Sequence, residues 1–400
     1  MNIPEVRFPE FTEEWEKQKL SNILEFEYGM NAAGKEFDGE NKYIRITDIE
    51  ESSRKFLQTK LVSPEGKITE KYRVKFGDIL FARTGASTGK TYKYTNNDGK
   101  IYFAGFLIRG RVDKKTSVDF IFCLTLNYKY KSWINVMSMR SGQPGINAKE
   151  YGSYEFRIPK IEEQQKIGDF FTLLDKRIEQ QEQKIALLKD YKKAMMQKIF
   201  SQKIRFKDDN GNDYPDWEEK KLGDVIFRNS KKNKNQKYTL IQSISNKYGF
   251  VNQEDYFEDR RVGSLDVSNY YIIKKGYFAY NPSRINVGSL AYKNDNNISI
   301  ISPLYVSFKG NEKYLNDKFL LSWLFSHQFI GKLGKLFEGS VRNTLSYENL
   351  STIDIETPCI AEQEKIALFL EVINDSIENQ KELLDEIIKE KTALLNKMFI

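Results

Sequence analysis

The sequence predicts two strand-rich, mixed α/β globular domains joined by two long helices that pair as an antiparallel coiled coil, an internal pseudo-two-fold repeat. Length, self-similarity and one repeated apolar seam predict it. The 400 residues exceed one ordinary core and fit two domains of roughly 150 residues with a remainder. With 40% hydrophobic and 14% aromatic residues the chain can bury real cores.

The repeat decides the architecture. Pro159-Lys-Ile-Glu-Glu-Gln-Gln-Lys-Ile167 matches Pro358-Cys-Ile-Ala-Glu-Gln-Glu-Lys-Ile366 at an offset of 199. The offset holds without a gap to the chain end, pairing Phe170 with Phe369, Lys192 with Lys391 and Phe200 with Phe399. Backwards it pairs Gly77 with Gly276, Gly89 with Gly288 and Ser141 with Ser340. The openings match as well: Val6-Arg-Phe8 answers Ile204-Arg-Phe206, and Trp15 to Leu20 answers Trp217 to Leu222 after a four-residue insertion. Four segments follow: a globular domain at 1–158, a helix at 159–202, a second globular domain at 203–357 and a second helix at 358–400.

From Ile161 to Phe200 there is no proline and an abundance of Gln, Lys, Glu, Leu and Ile, which is helix composition. Ile167, Phe171, Leu174, Ile178, Gln181, Ile185 and Leu188 alternate steps of four and three, the seam of a coiled coil. Ile366, Leu370, Ile373, Ile377, Gln380, Leu384 and Ile387 repeat it, polar interruption included. Each seam can bury the other, and the two glutamines can specify register. Because the first helix leads into the second domain, the second helix must run back along it, bringing Ile400 near the N-terminus.

The globular parts show short alternating runs such as Tyr43-Ile-Arg-Ile46 and Asp78-Ile-Leu-Phe81, separated by Gly and Asn clusters. One helical stretch is predicted in each, near 118–139 and 315–337. No βαβ alternation suggests a doubly wound sheet.

Charge and rare residues narrow the function. A net +7, from 63 basic and 56 acidic residues, permits a nucleic-acid partner without demanding one. Two distant cysteines, no secretory signal and no run of 18 apolar residues suggest a reduced, cytoplasmic protein with no membrane partner. A single histidine, His327, all but excludes a Ser-His-Asp triad or a His-rich zinc centre. Its apolar surroundings fit a plain helix residue.

Three motifs imitate enzymes. Thr84-Gly-Ala-Ser-Thr-Gly-Lys-Thr91 resembles a phosphate-binding loop, but its glycines enclose three residues instead of four. Tyr280-Asn-Pro-Ser283 resembles the amino-methyltransferase signature but has Ser where an aromatic belongs. The carboxylates around Pro215-Asp216 and Glu218 are too close in sequence to assemble a metal site from separate strands. No catalytic residue and no metal ligand is assigned.

The paired helix openings, the Gly-Asp-Ile-Leu-Phe-Ala-Arg-Thr-Gly run at 77–85 and Asn281-Pro-Ser-Arg-Ile-Asn-Val-Gly288 together resemble the specificity subunits of type I restriction-modification systems, over essentially the whole chain. The resemblance implies two target-recognition domains, each reading half of an interrupted double-stranded DNA sequence, with the helices as spacer. Forty helical residues span about 60 Å, roughly 18 base pairs. It also implies two modification subunits that use S-adenosylmethionine and two ATP- and Mg-dependent restriction subunits, leaving this chain without cofactor or catalysis. A coiled-coil scaffold with protein-binding ends is the main alternative.

Base readers need Arg or Lys for guanine and Asn or Gln for adenine. In the first domain Arg83, Thr84, Ser87, Thr88 and Lys90 are the candidates; in the second, Ser283, Arg284 and Asn286, with Arg284 foremost. A second set is Ser141 and Gln143 with Ser340, Arg342 and Asn343. The basic run Lys231 to Lys234, with Lys237, fits a phosphate-contacting or solvated loop, without sequence information of its own.

Overall fold

The computed structural model describes residues 3–139, 142–253, 266–337 and 344–400. The chain divides into two compact units, Met1–Gln183 with Lys381–Ile400, and Lys184–Gln380. Each takes one globular part and a portion of both long helices.

In the first unit a four-stranded antiparallel sheet runs in the order Leu24–Tyr28, Leu107–Val112, Asp78–Ala82, Thr91–Lys93. The strand Asp78–Ala82 is buried at every position. Its period-2 alternation sends Ile79 and Phe81 into a core with the helices, and Leu80 and Ala82 into a smaller core on the other face. Lys42–Ile44 pairs in parallel with Ile101–Phe103. Glu16–Lys19 pairs with Glu155–Ile158, the strand that feeds the first long helix, Ile161–Phe200.

The second unit repeats the order with Ile226–Arg228, Val306–Gly310, Tyr277–Tyr280 and Leu290–Tyr292. Phe278 and Tyr280 face the larger core and Ala279 the smaller one. Glu218–Lys221 pairs with Asp354–Thr357, leading into the second long helix, Ile360–Lys397.

The single helical stretch predicted in each domain is two helices. Val118–Leu124 is followed by Tyr128–Met137, because Asn127 accepts from the Tyr130 N–H at 2.8 Å and starts a new helix. Asp317–Leu324 is followed by His327–Phe337, with the Ser326 hydroxyl accepting from Phe329 N–H at 3.4 Å. His327 is exposed at that helix start.

Every seam position named from the sequence is buried or half-buried. In the first unit Phe171 meets Phe399 at 6.2 Å and Asp175 pairs with Lys391, so the helices run in opposite directions. In the second unit Met196, Ile199 and Phe200, ending one helix, share a core with Ile366, Leu370, Ile373 and Ile377, beginning the other. The Val6 N–H donates to the Lys397 carbonyl at 3.1 Å, joining the two ends of the chain.

The repeated Glu-Gln of the helix openings is what anchors each helix. Glu163 lies in the first turn, where the helix dipole favours a carboxylate, and is almost wholly buried. It accepts two 2.8 Å bonds from the Arg7 guanidinium and one of 3.3 Å from Trp15 Nε1. Glu362 receives the same set from Arg205 and Trp217, at 2.8, 2.8 and 3.3 Å. Each carboxylate holds its arginine above the usual guanidinium range, chiefly by hydrogen bonding. The neighbouring glutamines satisfy loose backbone groups: Gln164 donates to the Pro159 carbonyl and accepts from Ser117 N–H, and Gln363 does so with Pro358 and Asn316.

Removing one partner of a buried ion pair strands the other charge, at about 3 kcal/mol or more. Glu163→Ala is therefore expected to lower the urea midpoint of the first unit, and Glu362→Ala that of the second. Tryptophan fluorescence follows both, since Trp15 and Trp217 rest on these carboxylates. An unchanged midpoint would show that the lock contributes nothing.

Candidate nucleic-acid interface

The strand Asp78–Ala82 ends at Arg83, and the chain turns back through a short 3-10 turn, Gly85–Ser87, into Thr91–Lys93. A strand follows the glycines, so the helix N-terminus that a phosphate-binding loop requires is missing here. The turn is pinned from beneath by Tyr151, which donates to the Ala82 carbonyl at 2.7 Å and accepts from Gly89 N–H at 3.0 Å. Burial pushes this phenol above its ordinary pKa, keeping it a donor.

The named candidates in this turn differ in their commitments. Arg83 lies with its guanidinium carbon 5.1 Å from the Tyr28 ring centroid. Thr84 forms a bridge with Gly145, and Ser87 is half-buried. The Thr88 hydroxyl donates to the Gly85 carbonyl at 2.7 Å. Lys90 turns inward, with its ammonium 2.5 Å from Glu51 and donating to the Ile49 carbonyl at 3.3 Å. That bond draws the Glu51 pKa below its usual value. Gln143 is exposed, and its amide lies where a side chain on Gly85 would project. The structure thus brings it to the same turn from some 60 residues away. Ser141 lies outside the described residues.

The counterpart in the second unit follows Tyr277–Tyr280. Asn281 accepts from Ser283 N–H at 3.0 Å, and a 3-10 turn, Ile285–Val287, carries the chain to Gly288. Ile285 is buried, whereas Ser283, Arg284, Asn286 and Val287 are exposed. The Tyr280 phenol ties this loop to the Leu345 and Ser346 carbonyls at 3.2 and 3.3 Å. Ser340, Arg342 and Asn343 lie outside the described residues.

Sequence reasoning missed a neighbouring turn. Asn246 donates to the Val287 carbonyl at 2.8 Å, so the hairpin between Gln242–Ser245 and Gly249–Asn252 sits against the Arg284 loop. It presents exposed Tyr248, with the Lys247 ammonium 4.8 Å from its ring. The only sequence signal is a polar Asn-Lys-Tyr between two short strands.

The basic run is held open by Asn233, which is buried and bonds both ways with the Tyr238 backbone, while Lys231, Lys232, Lys234 and Lys237 are exposed. Among the described residues no cluster of three or more His, Cys, Asp or Glu is arranged to hold a metal ion, and no helix is long and apolar enough to cross a membrane.

The model of the type I restriction modification DNA specificity domain matches twice, at residues 12–190 and 214–389. The chain belongs to this family. Two similar proteins come from Methanocaldococcus jannaschii. The putative type I restriction enzyme MjaX specificity subunit is 26% identical over 99% of this chain and 95% of its own length. The MjaVIII specificity subunit is 24% identical over 99% and 94%. Among solved structures, the S subunit of the type I restriction-modification system from M. genitalium shares the fold, with a TM-score of 0.57 at 13% identity over 100% of this chain and 99% of that one. A chain from a structure addressing complex assembly and conformational transition of the type I R-M system gives 0.55 at 15% identity, over 95% and 96%. The two family matches coincide with the two halves of the repeat.

Gly89 and Gly288 share a left-handed φ of +85°, a conformation that costs a side chain about 1 kcal/mol. Their surroundings differ: a Cβ on Gly89 would lie 2.5 Å from Ile134, and one on Gly288 meets nothing within 4 Å. Gly89→Ala is expected to destabilise by roughly 3 kcal/mol, strain and overpacking together, and Gly288→Ala by about 1 kcal/mol. Urea unfolding of the two variants checks the order, and equal losses would contradict it.

Proposed function

We propose that this chain is the DNA-reading subunit of a type I restriction-modification complex, each target-recognition domain (1–158 and 203–357) reading one half of an interrupted duplex site. The observation that carries the reading is the family's DNA specificity domain matched once in each half, with an Arg-bearing turn at the same place in both, half-buried in the first and exposed in the second. The helices at 159–202 and 358–400 set the length of the unread gap and dock the modification subunits. Two modification subunits bring S-adenosylmethionine, two restriction subunits bring ATP and Mg, and this chain performs no catalysis itself. The complex works in the cytoplasm, on chromosomal and invading DNA.

Within that reading the base contacts come from Arg83, Thr84, Ser87 and Gln143 in the first domain and Ser283, Arg284 and Asn286 in the second. Ser141, Ser340, Arg342 and Asn343 are further candidates from the sequence, and Tyr248 with Lys247 extends the second surface. Thr88 and Lys90 shape the first turn, since their polar groups already serve their own domain. Lys231, Lys234 and Lys237 meet phosphates, adding affinity without sequence preference.

Assembled with its modification subunits, the chain is expected to bind one interrupted sequence far more tightly than scrambled duplex at physiological salt. Equal affinity for the scrambled competitor would end the proposal. Arg284→Ala should weaken the specific complex by roughly 1–3 kcal/mol and relax discrimination in one half-site only. Four residues inserted at matching points of both helices should lengthen the gap with both half-sites unchanged, as read by adenine-methylation profiling.

A further inference from the structure

Most described arginines are committed to a partner. Arg7, Arg45, Arg54, Arg73, Arg109, Arg111, Arg205 and Arg228 each face a carboxylate, and Arg157 donates to the Trp15 carbonyl. Arg83 is different. Among the described residues no hydrogen bond or ion pair engages its side chain, and its one recorded contact is the face of Tyr28. A guanidinium over a ring is attracted by the ring's quadrupole and spends no hydrogen bond on an oxygen acceptor there, so its N–H donors remain available to one.

The stack is built at both ends. The Arg83 backbone donates to the Phe106 carbonyl at 3.0 Å and accepts from Ile146 N–H at 2.9 Å, fixing its Cα at the end of the central strand. Tyr28 closes the strand Leu24–Tyr28, opposite Ile108, and its phenol accepts from Ala148 N–H at 3.1 Å at the start of the short helix Ala148–Gly152. The Tyr28 ring is thus fixed at both ends, and the Arg83 guanidinium is held over it by the ring contact alone. Holding such a side chain in advance removes an ordering cost that binding would otherwise carry.

We propose that Tyr28 is a positioning residue that presents the Arg83 fork, already oriented, to the N7 and O6 acceptors of a guanine in the half-site read by the first domain. A planar fork held at a set angle suits a planar pair of acceptors. A phosphate can also take a bidentate arginine, and removal of the guanine N7 acceptor tells the two apart. Arg284, on its exposed loop, has no ring beside it among the described residues. The inference rests on the DNA-reading function proposed above and adds the base and the device.

The test uses the full complex with its modification subunits. A randomised duplex pool, selected by the wild-type complex, supplies the site; a pool yielding no interrupted consensus refutes the DNA-reading function itself, a result distinct from those that follow. Arg83→Ala should relax one half-site only, with about a 5- to 100-fold loss. Tyr28→Ala should weaken the same half-site by roughly three- to tenfold and add nothing in the Arg83→Ala background. Tyr28→Phe, which keeps the ring, should restore most of the loss. Replacing the guanines of that half-site by 7-deazaguanine should weaken the wild type and leave Arg83→Ala indifferent. The proposal is overturned if the losses from Tyr28→Ala and Arg83→Ala multiply, if Tyr28→Ala weakens both half-sites alike, or if Tyr28→Phe is no better than Tyr28→Ala. It is also overturned if the half-site contains no guanine, or if 7-deazaguanine has no effect. A phosphate contact would give that last result.

Discussion

A carboxylate buried in the first turn of a long helix must find positive charge and donors, and the way Glu163 and Glu362 find them determines how each unit closes. Arg7 and Trp15 come from the opening of the chain, some 150 residues before Glu163, and converge on it. With Arg7 held there, the adjoining Val6 reaches the Lys397 carbonyl, and Trp15 packs edge-on against Phe399. A single ion pair thus collects the chain opening, the start of one helix and the end of the other. The second unit solves the same problem with Arg205, Trp217 and Glu362. Charge burial costs free energy wherever pairing is incomplete, so these contacts select one arrangement of the segments over looser alternatives.

This explains which parts of the fold were legible. Periodicity survives in one dimension, so the repeat, the long helices and their seam could be read directly, down to Gln181 and Gln380. The Glu-Gln signature was visible as a marker but not as a lock, because its partners lie far away in sequence and no local pattern joins them. The break between Val118–Leu124 and Tyr128–Met137 was missed for a related reason. An apolar run looks continuous until a cap such as Asn127 turns its side chain onto the backbone.

The candidate site was legible by position more than by contact. Glycines flanking polar residues after a buried strand marked a turn in each half, half-buried in the first and largely exposed in the second. They could not reveal that Lys90 reaches back to Glu51 and Ile49, or that Gln143 arrives beside Gly85. Those facts depend on loops that are distant in sequence and differ between the halves. The framework bonds are duplicated almost residue for residue, whereas the loops are braced by unlike means: Lys90 to the Ile49 carbonyl in one half, Asn246 to the Val287 carbonyl in the other. A shared frame with dissimilar corners is what a reader of two different half-sites requires.

The contrast extends to rigidity. In the first unit the turn is backed by Ile134 under Gly89, by the Tyr151 phenol and by the Arg83 stack on Tyr28, so its side chains are ordered by the domain's own packing. In the second, a Cβ on Gly288 would meet nothing within 4 Å, and Ser283, Arg284 and Asn286 project from a turn anchored by buried Ile285, the Tyr280 phenol and the Asn246 amide. Ordering an arginine side chain on binding costs about 0.5–1.5 kcal/mol, a cost that Arg83 has largely met on folding and Arg284 has not. Under the proposed base-reading role, the first domain would form its contact with little rearrangement, and the second would recover the ordering cost of Arg284 from the contacts it makes on binding.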